Sequence, residues 1–166
     1  MTSPSIQIQP FQPADQQGVF DVIVPIQREE FGIAITAAEQ PDLAAIPDFY
    51  QRGNGNFWVA KQGEQVVGTI GLKDIGDGLA ALRKMFVAAP FRGREFGVAA
   101  RLLAELLDGA RAKGVQRIYL GTTDKFLAAH RFYEKHGFSE VAKDSLPASF
   151  PLMAVDSKFY ALDLAD

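Results

Sequence analysis

The chain has 166 residues, of which 48% are hydrophobic and 22% charged, which is typical of a single globular domain with its own core. It has no run approaching the roughly 20 apolar residues that a membrane helix needs, and its first residues are polar. We therefore expect one domain over residues 1–166, cytoplasmic and without a membrane partner. The absence of cysteine excludes disulfides, thiolate nucleophiles and cysteine-ligated metals.

The net charge of −3 conceals a basic block in the middle of an otherwise acidic chain. Residues 83–117 carry eight basic and three acidic side chains, whereas residues 1–82 carry four and ten. So short a block favours a small phosphorylated ligand over nucleic acid, because nucleic-acid-binding domains tend to be basic over a whole face. A solvated helix face is the other interpretation of the same block.

The first half of the chain is rich in strands and turns. Alternating isoleucine and glutamine predict a short strand ended by Pro10. An apolar stripe over 14–31 predicts a helix that Pro25 kinks or splits, and a second helix is predicted over 43–51. Turn residues then separate three further strands, predicted over 57–60, 66–72 and 79–87.

The second half alternates helices and strands. Apolar residues at spacings of three and four predict a strong amphipathic helix from Val98, closed by Gly114. A strand over 118–120 follows, then a helix that begins at Asp124 and ends at Gly137, and then two last strands over 138–141 and 159–164. The pattern predicts an α/β or α+β domain with a mixed sheet.

Residues 86–99 connect a predicted strand to the strongest predicted helix and carry the clearest chemical signal. A helix start presents unpaired backbone N–H groups and the positive end of the dipole. Gly93 and Gly97 allow the backbone to approach a ligand closely, and Arg92 and Arg94 add positive charge. The segment is thus a candidate pyrophosphate cradle, although it matches neither the P-loop nor the dinucleotide glycine pattern. A glycine-rich turn without a ligand is the alternative.

Two stretches of the chain resemble the signatures of one family, in the expected order. The run Arg94-x-x-Gly97-x-Ala99 resembles the Q/R-x-x-G-x-G/A motif of the GNAT superfamily N-acetyltransferases, and residues 129–138 resemble that family's second signature. The resemblance implies a mixed, mostly antiparallel central sheet of about six to seven strands flanked by about four helices. It also implies acetyl-CoA as the cosubstrate, with no metal.

The resemblance also implies where the cosubstrate is held. The strand before the loop faces the pantetheine arm, and the loop and helix start bind the pyrophosphate. Phe126 stands where the family often has an Asn, so Thr122 or Thr123 is expected to replace its hydrogen bond, and Glu95 occupies a position that is often Gly. The predicted cosubstrate contacts are Met85, Phe86, Val87, Arg92, Gly93, Arg94, Glu95, Phe96, Gly97, Val98, Ala99 and Thr123.

Acetyl transfer needs a neutral amine and a proton for the departing thiolate. Tyr133 matches the family's tyrosine near the cofactor sulfur and is the predicted general acid, with a core aromatic as the alternative. Glu29 and Glu30, after the kinked first helix, are candidates for the general base, although adjacent glutamates are usually a solvated face. Asp42 is interpreted as a helix cap. His130 lacks the further ligands that a metal site needs.

The sequence therefore predicts an acetyl-CoA-dependent N-acetyltransferase that moves an acetyl group directly to a primary amine of a small molecule or amino acid. A non-catalytic acyl-CoA-binding or regulatory domain of the same fold is the alternative. We expect no nucleic-acid partner. Members of the family are often homodimers, which leaves a homodimer open here.

Overall fold

The strands of the protein form one seven-stranded sheet in the order β1-β2-β3-β4-β5-β7-β6. The computed structural model describes residues 5–30, 32, 40–92, 97–123, 127–152 and 156–164. All neighbouring strands are antiparallel except β4 and β5, which are parallel. The predicted mixed, mostly antiparallel sheet is thus confirmed. The strands are β1 Ile6–Pro10, β2 Asn56–Gln62, β3 Gln65–Gly76, β4 Leu79–Val87, β5 Arg117–Thr122, β6 Ser139–Val141 and β7 Lys158–Asp163.

Five α-helices lie within the described ranges, against about four predicted. The prediction of one helix over 43–51 is wrong, because the segment forms two single-turn helices that begin two residues earlier and break at Ala45. Pro47 explains the break, since its ring would clash with a carbonyl one turn back and it has no N–H to donate. The helices are α1 Gln16–Pro25, α2 Pro41–Ala44, α3 Ile46–Phe49, α4 Val98–Ala112 and α5 Leu127–Lys135.

Pro25 divides the first helical segment, as predicted. It is the last residue of α1, and a π-helical turn over Ile26–Glu30 follows it. Since Pro25 has no N–H, the regular helical bond to the carbonyl four residues earlier is missing at this point. The wider turn presents Glu29 and Glu30 beyond the end of α1.

The helices cover both faces of the sheet. On one face α4 buries Leu102, Leu103 and Leu106 in a cluster that includes Trp58 of β2. Side chains alternate along a strand, so the neighbouring Phe57 points to the opposite face, where it packs with α1, α2 and α3. The two clusters form the cores of a three-layer domain.

The predicted glycine helix ends are present. Gly114 after α4 has φ +79° and Gly137 after α5 has φ +94°, the left-handed conformation that glycine adopts at low cost. Asp124, the predicted start of the helix that contains α5, lies outside the described residues. No helix in the described ranges has the length and apolar content to cross a bilayer.

Candidate active site

Strands β4 and β5 diverge in the middle of the sheet. They pair only where Leu79–Ala81 meets Arg117–Tyr119, after which β4 continues to Val87 and β5 to Thr122. Beyond the paired stretch, the facing backbone edges of β4 and β5 are not paired with each other. Unpaired backbone groups need hydrogen-bond partners, so an extended ligand can insert between the two strands.

A β-bulge in β4 accompanies this divergence. Thr69 of β3 pairs with Phe86 and Gly71 pairs with Arg83, so two residues of β4 stand opposite the single residue Ile70. Lys84, one of these two, has φ +56°, which is unusual for a residue with a side chain. A bulge bends its strand, and this one lies just beyond the point where β4 leaves β5.

The start of α4 follows β4 in the chain and presents backbone N–H groups that can bind an anion. Gly97 precedes the helix with φ +57° and makes no side-chain cap. The N–H groups of Val98 and Ala99 have no acceptor within the helix, and they lie at the positive end of a 15-residue dipole. This arrangement fits the predicted pyrophosphate cradle. Four of the predicted contacts, Gly93, Arg94, Glu95 and Phe96, lie outside the described residues.

Arg92 follows β4, five positions before Gly97 in the chain, and its side chain is already engaged. Its Nη1 and Nη2 donate to Oε1 and Oε2 of Glu30 at 2.6 and 3.0 Å, and its Nε donates to the carbonyl of Val87 at 2.7 Å. The structure therefore brings together a predicted phosphate contact and a predicted base. Both side chains are about two-fifths exposed, so a ligand can reach them.

The other predicted contacts in β4 divide between the two faces of the sheet. Met85 and Val87 pack towards the α4 core, whereas Phe86 packs towards the α1 core. Their side chains are thus occupied with packing. Ala88 donates its N–H to Val67 of β3 and Phe86 pairs with Thr69, so by the alternation along the ladder the N–H of Val87 is the one directed to the gap.

The end of β5 offers polar groups on the other side of the gap. The Nε2 atom of His130 in α5 lies 2.9 Å from the carbonyl oxygen of Thr123 and holds this residue in place. The buried Thr122 Oγ1 has no hydrogen-bond partner among the described residues. An unpartnered buried hydroxyl is costly, and this one suits the hydrogen bond that Phe126, outside the described residues, cannot make.

Tyr133 lies on α5, buried against Phe138 and Tyr160. Burial raises the pKa of its hydroxyl well above the ordinary value near 10. The side chain thus stays protonated at neutral pH and can donate a proton but not accept one.

A cavity of about 420 Å³ lies between α1 and the end of β4. Its lining includes the carboxylates of Asp21, Glu30 and Glu64 but neither Tyr133 nor any residue of β5. The cavity therefore lies on the α1 side of the end of β4, at the candidate base Glu30. Glu29, the second candidate base, is exposed on the π turn. The ranges that the structure describes contain no group of three metal-ligating side chains.

Sequence reasoning missed a buried polar network beneath the bulge. Lys84 Nζ donates to Gln40 Oε1 at 2.7 Å and lies 3.8 Å from Asp42 Oδ2, which accepts the Tyr50 hydroxyl at 2.6 Å. Asp42 makes no side-chain cap of α2, so its interpretation as a cap is not supported. The signal in the sequence was the charged pair Arg83-Lys84 inside an apolar strand, which breaks the alternation that a regular strand would show.

An acceptor cleft between the first helices and the loop before the last strand is expected to be lined by Phe31, Phe49, Tyr50, Phe150 and Met153. Of these, Tyr50 and Phe150 are buried in separate clusters. Phe49 contacts the ammonium of Lys73 on the α3 side of the sheet. Phe31 and Met153 lie outside the described residues.

The comparisons with known proteins agree with this geometry. The family model described as "Acetyltransferase (GNAT) family" matches residues 20–138. N-acetylaspartate synthetase of Danio rerio is 34% identical over 111 residues, which cover 66% of this chain and 39% of that protein. The chain spans 34% to 53% of the length of the curated relatives it matches.

Solved structures extend the likeness to almost the whole chain. A GNAT-family acetyltransferase from Staphylococcus aureus Mu50 superimposes with a TM-score of 0.91 at 36% identity, over 96% of this chain and 99% of that one. An N-acetylglutamate synthase from Neisseria gonorrhoeae, in complex with coenzyme A and N-acetylglutamate, shares the fold with a TM-score of 0.74 at 16% identity, over 99% of this chain and 36% of that one.

The chain belongs to the GNAT family of acetyltransferases. The resemblance to this family that the sequence motifs indicated is thus confirmed. The non-catalytic alternative finds no support in these comparisons.

Proposed function

We propose that this protein transfers the acetyl group of acetyl-CoA directly to the primary amine of an amino acid or a similar small molecule. The observation that carries the proposal is the gap between β4 and β5, which leads to the uncapped start of α4. Acetyl-CoA supplies the activated thioester when it is bound. Because the chain contains no cysteine, the acetyl group cannot pass through a cysteine thioester on the protein, which agrees with direct transfer.

The cradle binds the cosubstrate through its phosphates. The N–H groups at the start of α4 donate hydrogen bonds to the pyrophosphate, and Arg92, Arg94 and the glycine-rich loop complete the contacts. Of the two candidate donors, Phe86 pairs with Thr69 of β3, so in the gap the backbone N–H of Val87 polarises the thioester carbonyl. A fixed backbone donor serves this purpose well, because it needs no reorganisation during the reaction.

Two side chains move the protons. Tyr133, which its raised pKa keeps protonated at neutral pH, donates a proton to the departing thiolate. Glu30 accepts a proton from the amine, directly or through water, once the phosphates have drawn Arg92 away from it. Glu29, exposed on the same turn, is the second candidate for this role.

The relatives favour an amino acid as the acceptor. The name of the Danio rerio relative indicates an enzyme that acetylates aspartate, and that protein is 34% identical to this chain over 111 residues. A small amino acid also suits a site in which helices, rather than a broad open groove, cover the sheet beside β4.

Thiol release tests the proposal directly. The protein is mixed with acetyl-CoA and with aspartate, glutamate, β-alanine or ethylamine, and free coenzyme A is followed over time. We expect turnover with at least one of the two dicarboxylic amino acids, and a slower rate with the amines that lack one or both carboxylates. Tight binding of acetyl-CoA without turnover of any amine would favour the non-catalytic alternative instead.

The cellular setting stays a prediction from the sequence. We infer a cytoplasmic enzyme without a nucleic-acid partner, supported by the lack of cysteine and by the overall acidity of the chain. A homodimer also stays a prediction, and the sedimentation of the purified protein would test it.

A further inference from the structure

Lys84 combines two unfavourable features at the bulge of β4. Its backbone is left-handed, with φ +56°, and its side chain is only 7% exposed. Glycine would adopt this backbone without strain, and an apolar side chain would be buried without losing hydration. Burial also lowers the pKa of its ammonium, which means that the charged form is held there at a cost.

The side chain of Lys84 is tied to the helices on one face of the sheet. Its Nζ donates to Gln40 Oε1 at 2.7 Å and faces the Asp42 carboxylate at 3.8 Å. The side-chain amides of Gln40 and Gln27 are joined by two hydrogen bonds of 2.8 and 3.0 Å. Through these contacts Lys84 is connected to the π turn after α1 and to the start of α2.

The backbone of Lys84 is tied to the neighbouring strand. Its carbonyl accepts a hydrogen bond of 2.7 Å from Thr69 Oγ1, and Thr69 also pairs with Phe86. The bulge is therefore fixed from two directions, by β3 within the sheet and by Gln40 and Asp42 from the helix layer. Val87 lies three residues after this fixed point. Ala88 donates its N–H to the Val67 carbonyl of β3, and N–H groups alternate between the two edges of a strand, so the N–H of Val87 is directed to the edge at the gap.

We propose that Lys84 is a positioning residue, whose buried side chain fixes the bulge and thereby sets the orientation of the backbone N–H of Val87 towards the thioester. The inference rests on the proposed function, because it assigns that N–H to the acetyl carbonyl. A strained backbone that is over-determined by its surroundings is a common device for holding a site in a reactive geometry.

Two variants separate this role from general stability. Lys84→Met keeps the length of the side chain but removes the ammonium, and Lys84→Arg keeps the charge. Lys61→Met is the matched control, because Lys61 makes a partly buried ion pair with Asp15 at 3.0 Å on β2, away from the bulge. All three are compared with the wild type in thermal unfolding and in steady-state kinetics.

We expect Lys84→Met to lower kcat by about 100-fold with every acceptor, since a displacement of about 1 Å in a reacting geometry has an effect of this order. The KM for acetyl-CoA changes little, because the phosphate cradle is intact. Lys84→Arg recovers part of the loss, and Lys61→Met keeps the wild-type kcat whatever its stability. A wild-type kcat in Lys84→Met would overturn the proposal. A rise in KM confined to acceptors with a carboxylate would also overturn it, and would identify Lys84 as a group that binds the acceptor.

A second measurement decides the inference without turnover. Amide ¹H–¹⁵N shifts and hydrogen exchange of residues 85–87 are recorded in the ligand-free protein. We expect large shifts and faster exchange in Lys84→Met but not in Lys61→Met. Unchanged amides in Lys84→Met would overturn the positioning role even if the wild type proved to be inactive, so failure of the inference and failure of the proposed function remain distinguishable.

Discussion

The guanidinium of Arg92 holds the carboxylate of Glu30 through two parallel hydrogen bonds of 2.6 and 3.0 Å. Arg92 follows the cofactor strand β4, whereas Glu30 lies on the π turn after α1, so the pair joins the cradle to the side of the site where the base is expected. Arg92 cannot give the same two donors to Glu30 and to a phosphate at once. Binding of the cosubstrate therefore competes with this ion pair.

Glu30→Gln should increase the affinity for coenzyme A. An ion pair of this exposure contributes about 0.2–1 kcal/mol, so its loss lowers the Kd by up to about five-fold. Isothermal titration measures the effect, and Glu29→Gln, on the same turn but without this pair, serves as the control. A weaker affinity in Glu30→Gln would show that the pair supports the cradle instead of competing with it.

The same variant separates binding from chemistry. If Glu30 accepts the proton of the amine, kcat falls by about 10²–10⁴-fold in Glu30→Gln while coenzyme A binds at least as well as before. The wild-type kcat in this variant, together with a loss in Glu29→Gln, would move the role of the base to Glu29.

Gly97→Ala should weaken the binding of coenzyme A. Gly97 has φ +57°, and a side chain there is strained by about 1–2 kcal/mol and stands beside the uncapped N–H groups of α4. Gly63→Ala is a close control, because Gly63 has φ +62° in the β2–β3 turn with nothing within 4 Å of an added Cβ. Both variants should lose similar stability in urea unfolding. An equal loss of affinity in both would mean that the cradle does not depend on Gly97.

Tyr133→Phe should lower kcat by about 10²–10⁴-fold, the usual contribution of a general acid, and leave the Kd for coenzyme A unchanged. Tyr160→Phe is the comparison, because Tyr160 is buried in the same cluster but donates its hydroxyl to Glu134 at 2.7 Å. It should lose stability without a comparable loss of kcat. Comparable kcat values for Tyr133→Phe and the wild type would exclude Tyr133 as the acid.

The pH dependence of kcat follows from the raised pKa of Tyr133. The acid must be protonated to act, so raising its pKa extends activity to higher pH. We expect kcat to rise as the amine loses its proton, and to show no fall up to about pH 10, the ordinary pKa of tyrosine. Stopped-flow thiol detection across this range, with unfolding monitored in parallel, makes the test. A descending limb near pH 8 would contradict the assignment.

Much of the fold could be predicted because local pattern and tertiary packing agree. The range of β4 was predicted without error, and the amphipathic stripe of α4 packs on the sheet as its spacing indicates. The second helix was predicted wrongly because the apolar stripe over 43–51 hides the effect of Pro47. The spacing of apolar side chains does not reveal that the backbone of Pro47 lacks an N–H.

The site was predictable where it depends on the backbone and less so where it depends on side-chain partners. The open start of α4 follows from Gly97 and the helical stripe, both visible in the sequence. The pairing of Arg92 with Glu30 joins residues that are 62 positions apart. The buried contact of Lys84 with Gln40 likewise depends on how two layers meet, which no local pattern encodes.

The most direct test of the account compares the affinities of coenzyme A and of pantetheine for the wild-type protein by isothermal titration. Pantetheine can fill the gap between β4 and β5 but has no phosphates for the cradle at α4. We predict that coenzyme A binds at least about 100-fold more tightly, a difference of about 2.7 kcal/mol, as expected for several charge-assisted contacts. Equal affinities would contradict the cradle, and with it the placement of acetyl-CoA in this site.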